Sequence, residues 1–128
     1  MKIGDTFTLV RTCDRYRPLY YAAASGDFNP IHIDQKVGEE AGLGGTILQG
    51  LCTLGWAVDA FVHYLGDPGR VRGIKVRFSR PVAIDDVITY EGTVTAIEGG
   101  LLTAEIDATN QRGEAVLKGA VVTGKVAA

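Results

Sequence analysis

A long and almost wholly apolar helical pattern occupies the middle of the chain, over residues 46–64. Its apolar residues recur at helical spacing and are Ile47, Leu51, Leu54, Val58, Phe61, Val62 and Leu65. The polar side of the pattern is thin and consists of Gln49, Thr53, Asp59 and His63. A helix with so little polar surface needs other elements to cover it. The rest of the chain is therefore expected to wrap around this helix.

The segment before this pattern predicts one strand and two short helices. Alternating residues over 6–12 predict the strand. Asp14 is the expected N-cap of a first helix that runs through Ala24, and Pro18 near the end of its first turn predicts an irregular start. A second helix is expected over residues 34–40, with its aspartate as the cap.

After the long helix the chain predicts four strands joined by tight turns. They cover residues 71–78, 86–97, 101–110 and 114–125. In the first of them, Ile74, Val76 and Phe78 are expected to share one face. The fold class predicted is α+β, with a single curved antiparallel sheet wrapped around a long central helix in one domain over residues 1–128. The open edge of such a sheet favours pairing with a second copy.

Composition and charge exclude several classes of partner. The 128 residues carry a net charge of −2 with both signs spread along the chain, unlike proteins that bind nucleic acid or anionic membranes. No stretch is long and apolar enough to span a bilayer, and the N-terminus lacks the apolar core of a signal peptide. Cys13 and Cys52 are too few and too far apart to predict a metal site or a disulfide framework. We therefore expect a cytoplasmic protein without a metal.

The loop over residues 25–32, Ser-Gly-Asp-Phe-Asn-Pro-Ile-His, is the strongest candidate site. Asn29 suits a turn, while Pro30 fixes its own φ and favours an extended backbone before it. Such a stiff, irregular loop can aim Asp27 and His32 at one point, which helical spacing of five residues would not do. The plainer alternative is that Asp27 satisfies loop N–H groups and that His32 is a hydrogen-bonded core residue.

The run Tyr21-Ala-Ala-Ala-Ser-Gly-Asp-Phe-Asn-Pro-Ile-His32 resembles the signature of the MaoC-like, or (R)-specific enoyl-CoA hydratase, family. The resemblance extends over about residues 14–87 and is supported by two further segments, residues 44–51 and 76–82. It implies the hot-dog fold, in which a curved sheet encloses one long helix.

The resemblance also assigns roles to particular residues. The catalytic Asp and His of the family fall on Asp27 and His32, and its neighbouring Asn falls on Asn29. Two departures accompany these matches. The pair at residues 49–50 is Gln-Gly where the family usually has His-Gly, and residues 84–86 are Ile-Asp-Asp where it usually has Pro-Gly-Asp.

The implied reaction is addition of water to a 2-enoyl thioester, which needs a water at C3, a proton at C2 and stabilisation of the thioester oxygen. Asp27 and His32 are expected to hold the water together, with base and acid not assigned between them. The backbone N–H of Gly50 is the expected oxyanion donor, because helix N-termini carry unpaired N–H groups. Asn29 either braces the loop or orients the water. Gln49 either contacts substrate or is a solvated helix residue.

Several cations are expected near the entrance, because the carrier of the thioester bears phosphate groups. Five of them lie within a short segment, namely Arg70, Arg72, Lys75, Arg77 and Arg80. Arg77 and Arg80 are the better candidates for coenzyme A binding because they match the family segment, although a solvated strand face is the plainer explanation. No cofactor is expected, since coenzyme A enters as part of the substrate.

The sequence therefore predicts a homodimeric or larger hydro-lyase for the (R)-specific hydration of trans-2-enoyl-CoA to (R)-3-hydroxyacyl-CoA and the reverse dehydration. One alternative is a (3R)-hydroxyacyl-ACP dehydratase subunit of fatty-acid elongation, since acyl carrier protein and coenzyme A both end in phosphopantetheine. Another is a non-catalytic hot-dog subunit that binds acyl chains, a reading disfavoured by the presence of both Asp27 and His32. The preferred acyl length and the physiological direction are left open.

Overall fold

A computed structural model of the chain describes residues 1–126. The described residues form five strands and three α-helices in the order β1 Thr6–Thr12, α1 Arg17–Ser25, α2 Gln35–Glu40, α3 Gly50–Leu65, β2 Val71–Lys75, β3 Val87–Glu98, β4 Leu101–Thr109 and β5 Ala115–Lys125. The strands form one antiparallel sheet in the order β1-β3-β4-β5-β2. α3 packs on this sheet against β1, β3 and β5, so the predicted α+β class with a central helix is confirmed.

The core lies between α3 and the concave face of the sheet. Its largest wholly buried side chains include Tyr90 and Ile88 of β3 and Phe61 of α3. The Tyr90 hydroxyl donates a hydrogen bond to the Thr53 carbonyl at 2.9 Å, which joins β3 to the first turn of the helix. Burial raises the pKa of Tyr90 far above its usual value, so this hydroxyl stays protonated. No helix in residues 1–126 is long and apolar enough to cross a membrane.

The first helix begins later than the sequence predicted. α1 starts at Arg17, because the Asp14 carboxylate accepts the Tyr16 N–H at 2.9 Å in a turn that precedes the helix. Pro18 consequently occupies the second helical position, where its missing N–H costs nothing. The cap of the second helix is as predicted, since Asp34 accepts the Lys36 N–H at 3.0 Å.

The long helix also begins later than predicted, at Gly50 instead of residue 46. Ile47 forms a bridge with Ala83, and the Leu48 N–H donates to the Val82 carbonyl at 2.8 Å. Residues 46–49 are therefore held as an extended segment by the chain that follows β2. This difference places the N-terminus of α3 beside the loop at residues 25–32.

α3 has two apolar stripes, and of the predicted helix residues only Phe61 and Leu65 lie on the stripe that faces the sheet. The buried stripe contains four small residues, two aromatic residues and one leucine, namely Cys52, Thr53, Trp56, Ala57, Ala60, Phe61 and Leu65. A second stripe, formed by Leu51, Leu54, Val58 and Val62, is only partly covered by residues 1–126, and Leu51 is 62% exposed. Most of the residues chosen from the sequence pattern belong to this second stripe.

β2 is shorter than the predicted strand over residues 71–78, because pairing with β5 breaks after Lys75. Lys75 pairs with Val121, whereas Phe78 forms an isolated bridge with Leu117, so β5 has one extra residue between the two contacts. Gly119 lies in that bulge with a φ of 62°. The predicted common face with Ile74 does not extend to Phe78, which is 48% exposed.

The turn at residues 84–86 carries the one positive φ of a non-glycine residue in the described chain, 70° at Asp85. The Asp85 N–H donates to the Cys13 carbonyl at 2.7 Å, and the buried Asp86 carboxylate accepts the Ala83 N–H at 2.9 Å. Gln111 and Arg112, from the turn between β4 and β5, hold the other oxygen of Asp86.

Candidate active site

The loop at residues 25–32 leaves α1 through Gly26, which has a left-handed φ of 80° and donates its N–H to the Ala22 carbonyl. The Ser25 hydroxyl donates to the Tyr21 carbonyl at 2.7 Å and accepts the Asp27 N–H at 3.1 Å. A single 3₁₀ turn at Pro30–His32 closes the loop. These bonds fix the backbone on both sides of Asp27 and His32.

Asp27 and His32 come together as predicted, with 3.8 Å between Asp27 Oδ2 and His32 Nε2. The side chain of His32 is 9% exposed, whereas that of Asp27 is 48% exposed. The other ring nitrogen of His32, Nδ1, lies 2.8 Å from the Ile47 carbonyl oxygen. Because a carbonyl oxygen only accepts, Nδ1 carries the hydrogen, and Nε2 of the neutral ring is a bare acceptor.

Two acceptors therefore face each other across a gap too long for a direct hydrogen bond. A water molecule can donate one hydrogen to each of them, because it has two to give. A water bound in this way would direct its lone pairs away from both groups.

Asn29 braces this loop. Its side-chain oxygen accepts the Ile31 N–H at 3.2 Å, its carbonyl accepts the His32 N–H at 2.9 Å, and its own N–H donates to Asp27 Oδ1 at 3.3 Å. Of the two roles considered for Asn29, these contacts correspond to the structural one. They also leave Asp27 Oδ2 as the oxygen that faces His32.

Gly50 is the first residue of α3, and no acceptor among residues 1–126 receives its N–H. It lines a cavity of about 290 Å³, here called the small cavity, together with His32, Thr53 and residues 78–82. A Cβ atom at this position would lie 3.3 Å from the ring of Phe78. The proposed oxyanion donor and the imidazole therefore border the same space.

Gln49 does not border that space. It is the N-cap residue of α3, only 1% exposed, and its Nε2 donates to the carbonyl oxygens of Pro18 at 2.8 Å and Asp27 at 3.5 Å. The alternative of a solvated helix residue is wrong, because the side chain is buried. Its contacts within the chain are to backbone carbonyls of α1 and of the loop.

The two candidate arginines differ in their surroundings. Arg80 lines the small cavity and pairs with Glu114 at 3.3 Å, so part of its charge is already balanced. Hydrogen bonds from Asn110 and Arg112 lower the pKa of Glu114, which keeps this partner ionised. Arg77 is exposed and pairs with no carboxylate among residues 1–126. Arg77 is therefore the freer cation of the two.

A larger cavity of about 660 Å³ lies beside the small one, and His32 borders both. Its other walls include Arg15, Tyr16 and residues 83–85. Burial raises the pKa of the Cys52 thiol and raises that of Cys13 to about 12, so both stay protonated and pack as small apolar groups. Within the described part of the chain, no cluster of His, Cys, Asp and Glu has the arrangement of a metal site.

Two features of the site were missed by sequence reasoning. The first is the Ile47 carbonyl, which sets the tautomer of His32. It belongs to the main chain, so no residue type in the sequence indicates it. Thr53 and Phe78 border the small cavity. Thr53 lies one turn beyond Gly50, a spacing that could have indicated it.

Comparison with known proteins identifies the family. The "MaoC like domain" family matches residues 7–116. Peroxisomal multifunctional enzyme type 2 of Drosophila melanogaster is 48% identical over 60 residues, which are 45% of this chain and 10% of the relative. The peroxisomal enoyl-CoA hydratase 2 of Arabidopsis thaliana is 41% identical over 69 residues, which are 52% of this chain and 22% of the relative. The chain thus spans only a small part of the curated relatives it matches.

A solved structure of similar fold is R-hydratase PhaJ1 from Pseudomonas aeruginosa in its unliganded form. It superposes with a TM-score of 0.88 at 24% identity, and the match covers 98% of this chain and 82% of the other. This likeness establishes the hot-dog fold expected from the resemblance. With a match that extends over most of its length, the chain belongs to the MaoC-like domain family.

Proposed function

We propose that the chain catalyses the (R)-specific hydration of trans-2-enoyl-CoA to (R)-3-hydroxyacyl-CoA and the reverse dehydration. The observation that carries this proposal is the 3.8 Å gap between two acceptors, Asp27 Oδ2 and His32 Nε2. His32 borders the small cavity together with Gly50, whereas Asp27 lines neither cavity. Such a gap accommodates a water that donates to both groups. Membership of a family of hydratases and dehydratases supports the same reaction.

In the proposed reaction, the oxygen of this water bonds to C3 of the enoyl group while one of its protons passes to the Asp27–His32 pair. The carbonyl oxygen of the thioester gains negative charge and receives a hydrogen bond from the Gly50 N–H. C2 then takes a proton from the pair, which returns to its initial state. One water is added across the double bond, and the reverse sequence eliminates it.

Coenzyme A is the proposed carrier, with its phosphates near Arg77. Two observations support this assignment. Arg77 pairs with no carboxylate among residues 1–126, and in sequence it lies between the end of β2 and residues 78–82, which line the small cavity. An acyl carrier protein presents the same phosphopantetheine arm, so the assay below includes both carriers. No further cofactor enters the scheme.

We also propose that the protein acts as a homodimer. β2 is a short edge strand, and the second stripe of α3 leaves apolar side chains partly uncovered by residues 1–126. Pairing two copies would cover a stripe of this kind and protect an edge strand. Reaction and assembly take place in the cytoplasm in this proposal, although the two curated relatives above are named as peroxisomal.

The decisive experiment compares wild type with Asp27→Asn and His32→Ala in a spectrophotometric hydration assay on crotonyl-, octenoyl- and longer enoyl-CoA esters. Each variant is expected to lose about 100- to 10,000-fold in kcat, the usual contribution of acid–base catalysis. His63→Ala is the matched control, because His63 is exposed near the end of α3 and bonds only to Asp59.

Folding of each variant is checked by circular dichroism and melting temperature. Folded Asp27→Asn and His32→Ala proteins that keep the wild-type rate would show that the chemistry is wrongly assigned. A wild-type protein that is active only on carrier-protein thioesters would replace coenzyme A in the proposal. A wild-type protein that binds acyl thioesters without turnover would favour the non-catalytic subunit.

A further inference from the structure

Gln49 connects α1, the loop at residues 25–32 and the start of α3, whose relative positions matter for the proposed reaction. It is the N-cap of α3, and so directly precedes Gly50. Its carboxamide nitrogen donates to the Pro18 carbonyl in α1 and to the Asp27 carbonyl in the loop. Within residues 1–126, the Asp27 carbonyl accepts no hydrogen bond other than the long one from Gln49 Nε2, at 3.5 Å.

The orientation of this carboxamide follows from its neighbours. Carbonyl oxygens accept hydrogen bonds and never donate, so the nitrogen of Gln49 must be the atom that faces them. Both of its hydrogens are then used, one on each carbonyl. No other side-chain group of similar length offers two donors on one uncharged atom.

The other end of the carboxamide has no partner. Gln49 Oε1 is buried and receives no hydrogen bond from residues 1–126. A buried unpaired acceptor lowers stability. An apolar residue of the same length would remove this penalty but would leave the Asp27 carbonyl without its hydrogen bond, so its two effects on stability oppose each other.

We infer that Gln49 is a positioning residue, whose two hydrogen bonds hold the Asp27 backbone against α1 and the start of α3. Through this contact one side chain fixes the distance between the Asp27–His32 pair and the Gly50 N–H. Gln49 touches no reacting atom, since it is buried and lines neither cavity. This inference rests on the proposed function and adds to it a residue for which the sequence suggested a substrate contact.

The test is the variant Gln49→Met, which keeps the length of the side chain and removes both donors. We expect kcat on crotonyl-CoA to fall about 10- to 100-fold, because small displacements of catalytic groups are costly. The KM is expected to stay within about twofold of wild type, as it would not for a residue that binds ground-state substrate. The melting temperature is expected to change little, because removal of the unpaired Gln49 Oε1 offsets part of the loss of the two hydrogen bonds.

A second readout does not depend on turnover. Hydrogen–deuterium exchange followed by mass spectrometry reports the protection of amides in residues 26–32, which we expect to exchange about tenfold faster in Gln49→Met. Amides of β4 are expected to be unchanged. Gln49→His should recover part of the loss in kcat, because a neutral imidazole offers one N–H where the carboxamide offers two.

Gln111→Met is the matched control. Its carboxamide also makes two hydrogen bonds, since it accepts the Val87 N–H and donates to the Asp86 carboxylate, but it lies in the turn between β4 and β5. This variant is expected to lose stability and to keep both kcat and the protection of the loop.

The outcomes separate the two proposals. A Gln49→Met protein with wild-type kcat, or with unchanged exchange in the loop, would overturn the inference about Gln49 while Asp27→Asn stays inactive. A raised KM at constant kcat would make Gln49 a substrate contact instead. If wild type hydrates no enoyl thioester, the proposed function fails, and the exchange measurement alone decides whether Gln49 holds the loop.

Discussion

At residue scale, position 50 must combine an unpaired N–H with very little bulk. Gly50 meets both needs, since its N–H has no acceptor among residues 1–126 and a Cβ would already lie 3.3 Å from the Phe78 ring. The exposed backbone N–H cannot be removed by changing the side chain, except to proline. Any effect of substitution here is therefore steric.

We predict that Gly50→Leu lowers kcat on enoyl-CoA by about 100-fold, because its side chain would fill the small cavity and push Phe78 aside. Gly50→Ala should cost only a few-fold, since one methyl group needs a shift of a few tenths of an ångström. Steady-state kinetics of folded variants measure both effects. The control is Gly55→Ala on the same helix, where a Cβ meets nothing within 4 Å. Equal rates for Gly50→Leu and wild type would remove Gly50 from the site.

Sequence reasoning at this scale predicted that Asp27 and His32 lie close together, because a run of unusual residues marks an irregular loop. It could not identify how Gln49 acts. Whether a polar residue at a helix start faces water or the interior depends on which segments pack over it, and α1 covers this one through its Pro18 carbonyl. The alternative of a solvated residue failed for that reason.

At element scale, the turn at residues 84–86 shows the consequence of an aspartate at a position that suits glycine. Asp85 has a φ of 70°, a left-handed conformation that L residues with a Cβ adopt at some cost. The contacts of its N–H with Cys13 and of Asp86 with Ala83 hold the turn in this shape. The departure from the usual Pro-Gly-Asp therefore places a residue with a Cβ in a backbone conformation that favours glycine.

We predict that Asp85→Gly is more stable than Asp85→Ala by about 1 kcal/mol, because only glycine adopts this φ without strain. Urea denaturation of the two variants measures the difference in free energy of unfolding. Similar stabilities would mean that the turn relaxes to a negative φ when the aspartate is replaced.

Helix and strand boundaries were predictable where local chemistry decides them. Asp34 acts as predicted at the start of α2, and β3 to β5 lie within one residue of their predicted limits. The start of α3 could not be predicted in this way, because Ile47 becomes extended only by pairing with Ala83, which lies far along the chain. The choice of apolar stripe failed too, because both stripes of α3 have helical periodicity.

At the scale of the whole molecule, the second stripe of α3 and the edge strand β2 carry the proposal of a dimer. Leu51 is the most exposed member of the stripe, while Val58 lies in its middle. An isolated chain would leave these side chains partly in water. Their number and alignment are typical of an association surface.

We predict that Val58→Asp converts a dimer to a monomer, because a charge in the middle of an apolar contact is left unpaired. Size-exclusion chromatography with light scattering measures the change from the mass of two chains to that of one. Leu101→Asp is the matched control, since Leu101 is an exposed leucine at the far turn between β3 and β4. A monomeric wild type would contradict the prediction at once.

The hydrogen bond between the His32 ring and the Ile47 carbonyl has a final consequence for how this site can vary. The group that decides which ring nitrogen is protonated is part of the peptide backbone, so exchanging the side chain at position 47 leaves it in place. The identity of the side chain at position 47 therefore does not decide which ring nitrogen of His32 carries the proton. The position of the proton on this histidine depends on the backbone conformation at residue 47.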